Sequence, residues 1–140
     1  MEVAFFKCRC FICFKSFEVP SLPDSTYGQW LFSNQEKKYF TYSLGQSENL
    51  ELAIQETLVS SKKLQIENDN TKGDTFVKLI ALASNENSTP ILGYNKCPRC
   101  GSKLHSNPNT KIGLKEIRHL SFPKSKDEIN EKLKRAITQV

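Results

Sequence analysis

The chain has 140 residues and a mass of 16.0 kDa, which is enough for one domain with its own buried core. With 38% hydrophobic and 25% charged residues, the composition excludes a wholly disordered chain and a collagen-like one, and no run approaches the roughly 18 apolar residues of a membrane span. The net charge of +5 is uneven, because residues 1–95 carry 9 Lys/Arg against 11 Asp/Glu, and residues 96–140 carry 11 against 4.

The first 44 residues are predicted to be mostly β-structure. Residues 3–8 and 16–19 are rich in β-forming side chains and predict two strands, the second ended by Pro20. After a loop over residues 21–28, two aromatic-rich runs predict a hairpin. Its strands cover residues 29–33 and 38–44, with the turn at residues 34–37.

Residues 45–65 contain the strongest helical pattern. Ser47 is a suitable N-cap, and one face is apolar through Leu50, Ile54 and Leu58. Residues 66–74 predict a polar loop. Asp74 could then cap a short buried helix over residues 75–84, but this near-continuous apolar run fits a strand equally well.

Loops and short strands are predicted to alternate through the next segment. Residues 84–90 and 106–113 have loop composition, and residues 91–95 predict a short strand. Residues 114–122 predict a longer strand that Pro123 ends, with core contacts from Ile117 and Leu120.

The last helix is predicted over residues 125–139. Ser125 and Glu128 form a capping-box sequence at its start, and Glu131 stands four residues before Arg135, in the favoured order for an ion pair. Its apolar stripe consists of Ile129, Leu133, Ala136, Ile137 and Val140.

Four of the five cysteines form two C-x-x-C pairs. The chain is not disulfide-dense, and Lys7, Arg9 and Lys15 interrupt its apolar N-terminus, where no small-residue cleavage site follows. We therefore expect a cytoplasmic protein without a secretory signal. In a reducing compartment such pairs usually bind metal, although buried free thiols and a thioredoxin-type redox pair are alternatives.

Each pair would form a turn that we call a knuckle: residues 10–15 are the first knuckle and residues 97–102 the second. In the second knuckle, Pro98 favours a turn and Gly101 can take the positive φ that a tight turn needs. In the first knuckle, Phe14 stands where a glycine would be easiest.

The runs C-x-x-C-x-K-x-F, from Cys10 to Phe17, and CPRCGSK resemble the two knuckles of the zinc-ribbon proteins. The resemblance covers residues 5–19 and 93–104, and it implies four metal ligands: Cys10, Cys13, Cys97 and Cys100. It departs from the family at Phe14 and in the 83 residues between Cys13 and Cys97. We expect one Zn²⁺ per chain, with iron in a rubredoxin-like site as the alternative.

The expected architecture is therefore a single α+β domain over residues 1–140. A four-cysteine zinc ribbon would consist of residues 5–19 and 91–122, with an inserted α+β segment over residues 20–90 and the C-terminal helix after it. The chain has three further side chains of types that bind metals: Cys8, His105 and His119. Cys8 or His105 could replace a ligand, although a buried thiol is the simpler role for Cys8, and His119 fits a surface or packing role.

No nucleophile motif, phosphate-binding glycine loop or paired acidic site is present, so we expect a non-enzymatic protein without a small-molecule substrate or a membrane partner.

Six basic residues surround the second knuckle and predict a nucleic-acid surface: Lys96, Arg99, Lys103, Lys111, Lys115 and Arg118. No aromatic residue lies between Lys96 and His119 to stack on bases. A protein-binding adaptor, an iron electron carrier and a merely solvated loop are the alternatives.

Overall fold

The computed structural model describes residues 1–22, 28–36, 38–60, 69–91, 97, 99–102, 104 and 110–138. Within these residues the fold is α+β, as predicted, with three helices and two sheets. In chain order the elements are β1 (Glu2–Arg9), β2 (Ser16–Ser21), β3 (Gln29–Ser33), β4 (Tyr39–Ser43), α1 (Glu48–Ser60), α2 (Asp69–Ala83), β5 (Thr89–Pro90), β6 (Thr110–Glu116), β7 (Arg118–His119) and α3 (Lys126–Ile137).

The first sheet is antiparallel and has the strand order β2-β1-β6. β1 and β2 form a hairpin whose turn carries the first knuckle. Pro20 was expected to end β2 but lies inside it, opposite Phe5. Because β2 is an edge strand, a proline without an N–H is tolerated there.

β6 pairs with β1 and differs from the predicted strand over residues 114–122. It begins at Thr110, inside the predicted loop, and Gly113 lies opposite Phe5 where a bulge shifts the register. A glycine at a bulge resembles a loop signal in the sequence. At the buried Ile117 the chain then crosses to β7 in the other sheet, so the predicted strand is two strands. Residues 105–109 lie outside the described residues.

The second sheet has the order β5-β3-β4-β7. The predicted hairpin is confirmed as β3 and β4, which pair from Gln29↔Ser43 to Ser33↔Tyr39. β7 joins β4 in parallel. The predicted loop over residues 84–90 is wrong at its end, because Thr89–Pro90 forms β5 and pairs with β3. The strand predicted over residues 91–95 lies outside the described residues from residue 92 onward.

α1 begins after Ser47, as predicted, and is described as far as Ser60. The apolar run over residues 75–84 belongs to α2 and is helical rather than extended. α2 begins at Asp69, so the predicted loop is wrong for residues 69–74 and Asp74 lies inside the helix. Residues 69–74 have weak helix propensity, but the later turns of the same helix bury Val77 and Ile80, and this packing outweighs the local preference.

The described side chains form two clusters of buried apolar residues. The helical cluster joins all three helices to β3, β4 and Leu120 and contains 15 residues. The small cluster joins Val3 and Phe5 of the first sheet to Leu31 of β3 and to Ile117. None of the helices, over their described residues, is both long and apolar enough to cross a membrane.

Candidate metal centre

Two segments that are far apart in the sequence bring four cysteine thiols together. The sulfur atoms of Cys10, Cys13, Cys97 and Cys100 all lie within 4.8 Å of one another. The shortest distances join the two knuckles: Cys10 Sγ is 3.5 Å from Cys100 Sγ, and Cys13 Sγ is 3.6 Å from Cys97 Sγ. Zn–S bonds of about 2.3 Å in a tetrahedron place sulfurs about 3.8 Å apart. The four thiols could therefore hold one metal ion.

The first knuckle is a tight turn at the end of β1. The Cys10 N–H donates to the Lys15 carbonyl at 3.0 Å, and the Phe14 N–H donates back to the Cys10 carbonyl at 3.1 Å. The N–H groups of Ile12 and Cys13 both point at Cys10 Sγ, at 3.4 Å. The backbone of the turn thus places donors where a thiolate's charge would lie.

The second knuckle repeats this geometry 87 residues later in the chain. The Cys97 N–H donates to the Ser102 carbonyl, and the Gly101 N–H donates to the Cys97 carbonyl, both at 2.9 Å. The Phe11 N–H also donates to the Leu104 carbonyl at 2.9 Å, which joins the two knuckles directly. Two equivalent turns therefore face each other across the sulfur cluster.

The fifth position of each knuckle has a left-handed backbone. Gly101 has φ of +74°, as its sequence position predicts. Phe14, at the equivalent position, has φ of +61° although its side chain disfavours this region. The departure from the ribbon pattern thus changes the residue but not the conformation of the turn.

The environments of the four thiols are unequal. The Cys13 N–H, helped by that of Ile12, lowers the pKa of Cys10 to about 6 against the opposing effect of desolvation. The Cys100 and Arg99 N–H groups lower the pKa of Cys97 in the same way. For Cys100, the lowering effect of the Ser102 N–H is outweighed by the Cys10 thiol, desolvation and the other two thiols, so that its pKa rises to about 11.

These pKa shifts run opposite to the burial of the residues, because hydrogen bonds outweigh desolvation at Cys10 and Cys97. Cys10 and Cys97 are buried, Cys13 is half-buried and Cys100 is exposed. The two N–H groups at Cys10 therefore favour its thiolate form, and a cation that binds the site would displace the thiol protons that remain.

Cys8 lies outside the four-thiol group. It is buried in β1 opposite Phe17, and desolvation raises the pKa of its thiol. His119 is an exposed residue of β7, with Nδ1 3.1 Å from the Thr41 hydroxyl, and it too is outside the group. His105 falls outside the described residues.

The predicted basic residues separate into two places. Arg99 is exposed in the second knuckle, and Lys111 is exposed opposite Phe6, four residues before Cys10 along β1.

Lys115 lies at the far end of β6, where it binds Glu18 at 2.5 Å and covers the Phe5 ring at 4.8 Å. Arg118 and Lys115 line a cleft of about 580 Å³ between the two sheets. Lys96 and Lys103 are outside the described residues.

The sequence analysis missed a group of exposed apolar side chains around the thiols. Phe11 is 56% exposed, Ile12 56%, Phe14 66% and Leu104 62%. We call these four residues the knuckle face. The run of apolar residues between and after the first two ligands is the signal that could have identified it.

Comparisons with protein-family profiles, with curated protein sequences and with solved structures find no match to this chain.

Proposed function

We propose that this is a non-enzymatic zinc-binding protein in which Cys10, Cys13, Cys97 and Cys100 hold one structural Zn²⁺. The observation that carries the proposal is the approach of all four sulfurs to within 4.8 Å of one another. Four thiolates fill a tetrahedral shell and leave no open position for substrate or water, which favours a structural role over a catalytic one.

Elemental analysis tests this proposal directly. Protein purified without chelator should contain about one zinc per chain. Cys10→Ser and Cys97→Ala should lose the metal, whereas Cys8→Ser, the matched control, should keep it. Less than about a tenth of an equivalent of any metal would contradict the proposal, and a red protein with charge-transfer bands would favour the iron electron carrier.

We further propose that the knuckle end of the molecule associates with nucleic acid. Residues 9–15 contain two Lys/Arg and residues 96–104 contain three, and neither segment contains an Asp or Glu. Four thiolates around one Zn²⁺ carry two excess negative charges, so these five cations exceed what the site itself needs. Cations that remain unneutralised on a turn held by a metal ion can bind the phosphates of a nucleic acid.

Charge reversal tests the nucleic-acid proposal. The triple variant Arg99→Glu, Lys103→Glu, Lys111→Glu should weaken binding to all sequences and reduce the salt slope by about 0.7–0.9 for each lost phosphate contact. Lys124→Glu, Lys126→Glu, Lys134→Glu changes the net charge equally at exposed positions in and before α3 and should have a smaller effect. No binding by the wild type at low salt would favour the protein-binding adaptor instead.

A further inference from the structure

Phe14 has a backbone conformation and an exposure that both disfavour a phenylalanine. Its φ of +61° is in the left-handed region, where a Cβ is strained. Its ring is 66% exposed, so it buries little apolar area to offset that strain. The equivalent turn uses Gly101. A strained residue that the fold does not need suggests a role in binding.

Phe11, Ile12 and Leu104 are also exposed, and they lie in or next to the same two turns as Phe14. The Phe11 N–H to Leu104 carbonyl bond holds the first knuckle against the second. The four thiols fix the same two turns when a metal joins them. The knuckle face is therefore an apolar surface on a rigid frame, and binding there would cost little conformational entropy.

The positive charge around the knuckle face favours a partner with negative charge. The two segments that carry it, residues 9–15 and 96–104, contain five cations and no carboxylate, and Arg99 and Lys111 are exposed. The second knuckle has basic residues but no aromatic ring of its own, and the first knuckle places Phe11 beside Leu104. Exposed rings next to cations are what unpaired bases on a phosphate backbone require.

We propose that Phe11 and Phe14 stack on unpaired bases, so that the knuckle face binds single-stranded nucleic acid in preference to duplex. This inference rests on the proposed nucleic-acid function and narrows it. Bases inside a duplex are already stacked on one another and do not present their faces to a protein ring, whereas those of a single strand do.

The experiment measures the anisotropy of a labelled single-stranded oligothymidylate and of a hairpin duplex with zinc-loaded protein. We expect tighter binding to the single strand. Phe14→Gly should weaken that binding by about 5- to 150-fold, with little change in the salt slope, and leave duplex binding unchanged. Because this substitution relieves the backbone strain, we expect the protein to remain folded, so that unfolding would not explain the loss.

Further variants separate ring stacking from general apolarity. Phe11→Leu should weaken single-strand binding, and Phe11→Trp should preserve it. Leu52→Ala, at an exposed leucine on α1, is the control and should have no effect.

The outcomes separate this inference from the proposed function. Equal affinity for both oligonucleotides, unchanged by Phe14→Gly but lowered by the Arg99/Lys103/Lys111 triple variant, would overturn the stacking surface and leave the nucleic-acid proposal intact. No binding of either oligonucleotide at low salt would overturn both. The knuckle face would then be assigned to a protein partner.

Discussion

Phe14 and Gly101 occupy equivalent positions in the two knuckles, and the difference between them can be measured as stability. A non-glycine residue with left-handed backbone costs about 1–2 kcal/mol, and a glycine costs about 0.5–1 kcal/mol in unfolded-state entropy. Phe14→Gly should therefore raise the free energy of unfolding of the zinc-loaded protein by about 0.5–1 kcal/mol in denaturant titrations. Ile12→Gly, at an exposed position without a positive φ, should lower it by a similar amount. A loss of stability in Phe14→Gly would contradict the strain argument.

Tyr42 is the largest fully buried side chain described, and its hydroxyl has a charged partner. It donates to Glu51 Oε2 at 2.6 Å, and the same oxygen accepts the Gly45 N–H at 2.9 Å. A hydrogen bond to a carboxylate stabilises by about 2 kcal/mol. We expect Tyr42→Phe to lower the free energy of unfolding by about that amount at pH 7. Tyr39→Phe is the control, because the Tyr39 hydroxyl makes no hydrogen bond to a described residue.

The same tyrosine gives the stability a pH dependence. Desolvation, and then the Glu51 carboxylate, raise the pKa of Tyr42 above its ordinary value of 10.0. Above that value the unfolded chain loses the phenolic proton while the folded chain keeps it, so stability falls as the pH rises. The difference between wild type and Tyr42→Phe should therefore shrink above about pH 10 in denaturant titrations. A difference that stays constant up to pH 11 would contradict this assignment.

At the residue scale, the sequence predicted what depends on residue type and close spacing. The grouping of Cys10, Cys13, Cys97 and Cys100 follows from two C-x-x-C pairs, and Gly101 has the positive φ expected of it. The place of Pro20 inside β2 could not be predicted, because it depends on β2 being an edge strand. That property belongs to the sheet and not to the residues around the proline.

The N-termini of α1 and α3 show which part of a helix start the sequence predicts and which part it does not. Ser47 and Ser125 were both predicted as N-caps and both precede their helices. Ser47 Oγ accepts the Leu50 N–H at 3.4 Å, whereas Ser125 makes no side-chain cap bond. We expect Ser47→Ala to cost about 0.5–1 kcal/mol and Ser125→Ala less than about 0.3 kcal/mol in thermal or denaturant unfolding. Equal costs would show that Ser125 caps α3 in solution.

The elements that were wrongly predicted depend on contacts between distant parts of the chain. β6 begins early because Thr110 and Lys111 pair with β1, about 100 residues away in the sequence. It ends at Glu116, because the next side chain, Ile117, packs with Val3 and Phe5 before the chain continues as β7 beside β4. A local pattern of turn residues does not contain these partners. α1, α3 and the β3–β4 hairpin were predicted well because their periodicity and turn residues are local, whereas the apolar run of α2 fitted a helix and a strand equally.

On the scale of the whole molecule, the sulfur cluster lies apart from the larger hydrophobic core. Neither Cys10 nor Cys97 belongs to the helical cluster of 15 residues or to the small cluster of four. A metal joining Cys13 to Cys97 would close a loop that contains the 83 residues between them. By analogy with a disulfide, such a link removes about 4–5 kcal/mol of unfolded-state entropy. The first sheet has the smaller core and would gain most from the link.

Metal removal should therefore affect the two parts of the molecule unequally. With a chelator present, we expect the backbone amides of β1, β2 and β6 to lose most of their protection from hydrogen exchange. Those of α1, α2 and α3 should keep most of theirs, because their buried side chains pack without a metal ligand. Cys10→Ser without chelator should reproduce this pattern, and Cys8→Ser with zinc should match the wild type. If all amides instead lose protection together, the metal supports the whole fold as one cooperative unit. The division between the first sheet and the helical cluster would then be wrong.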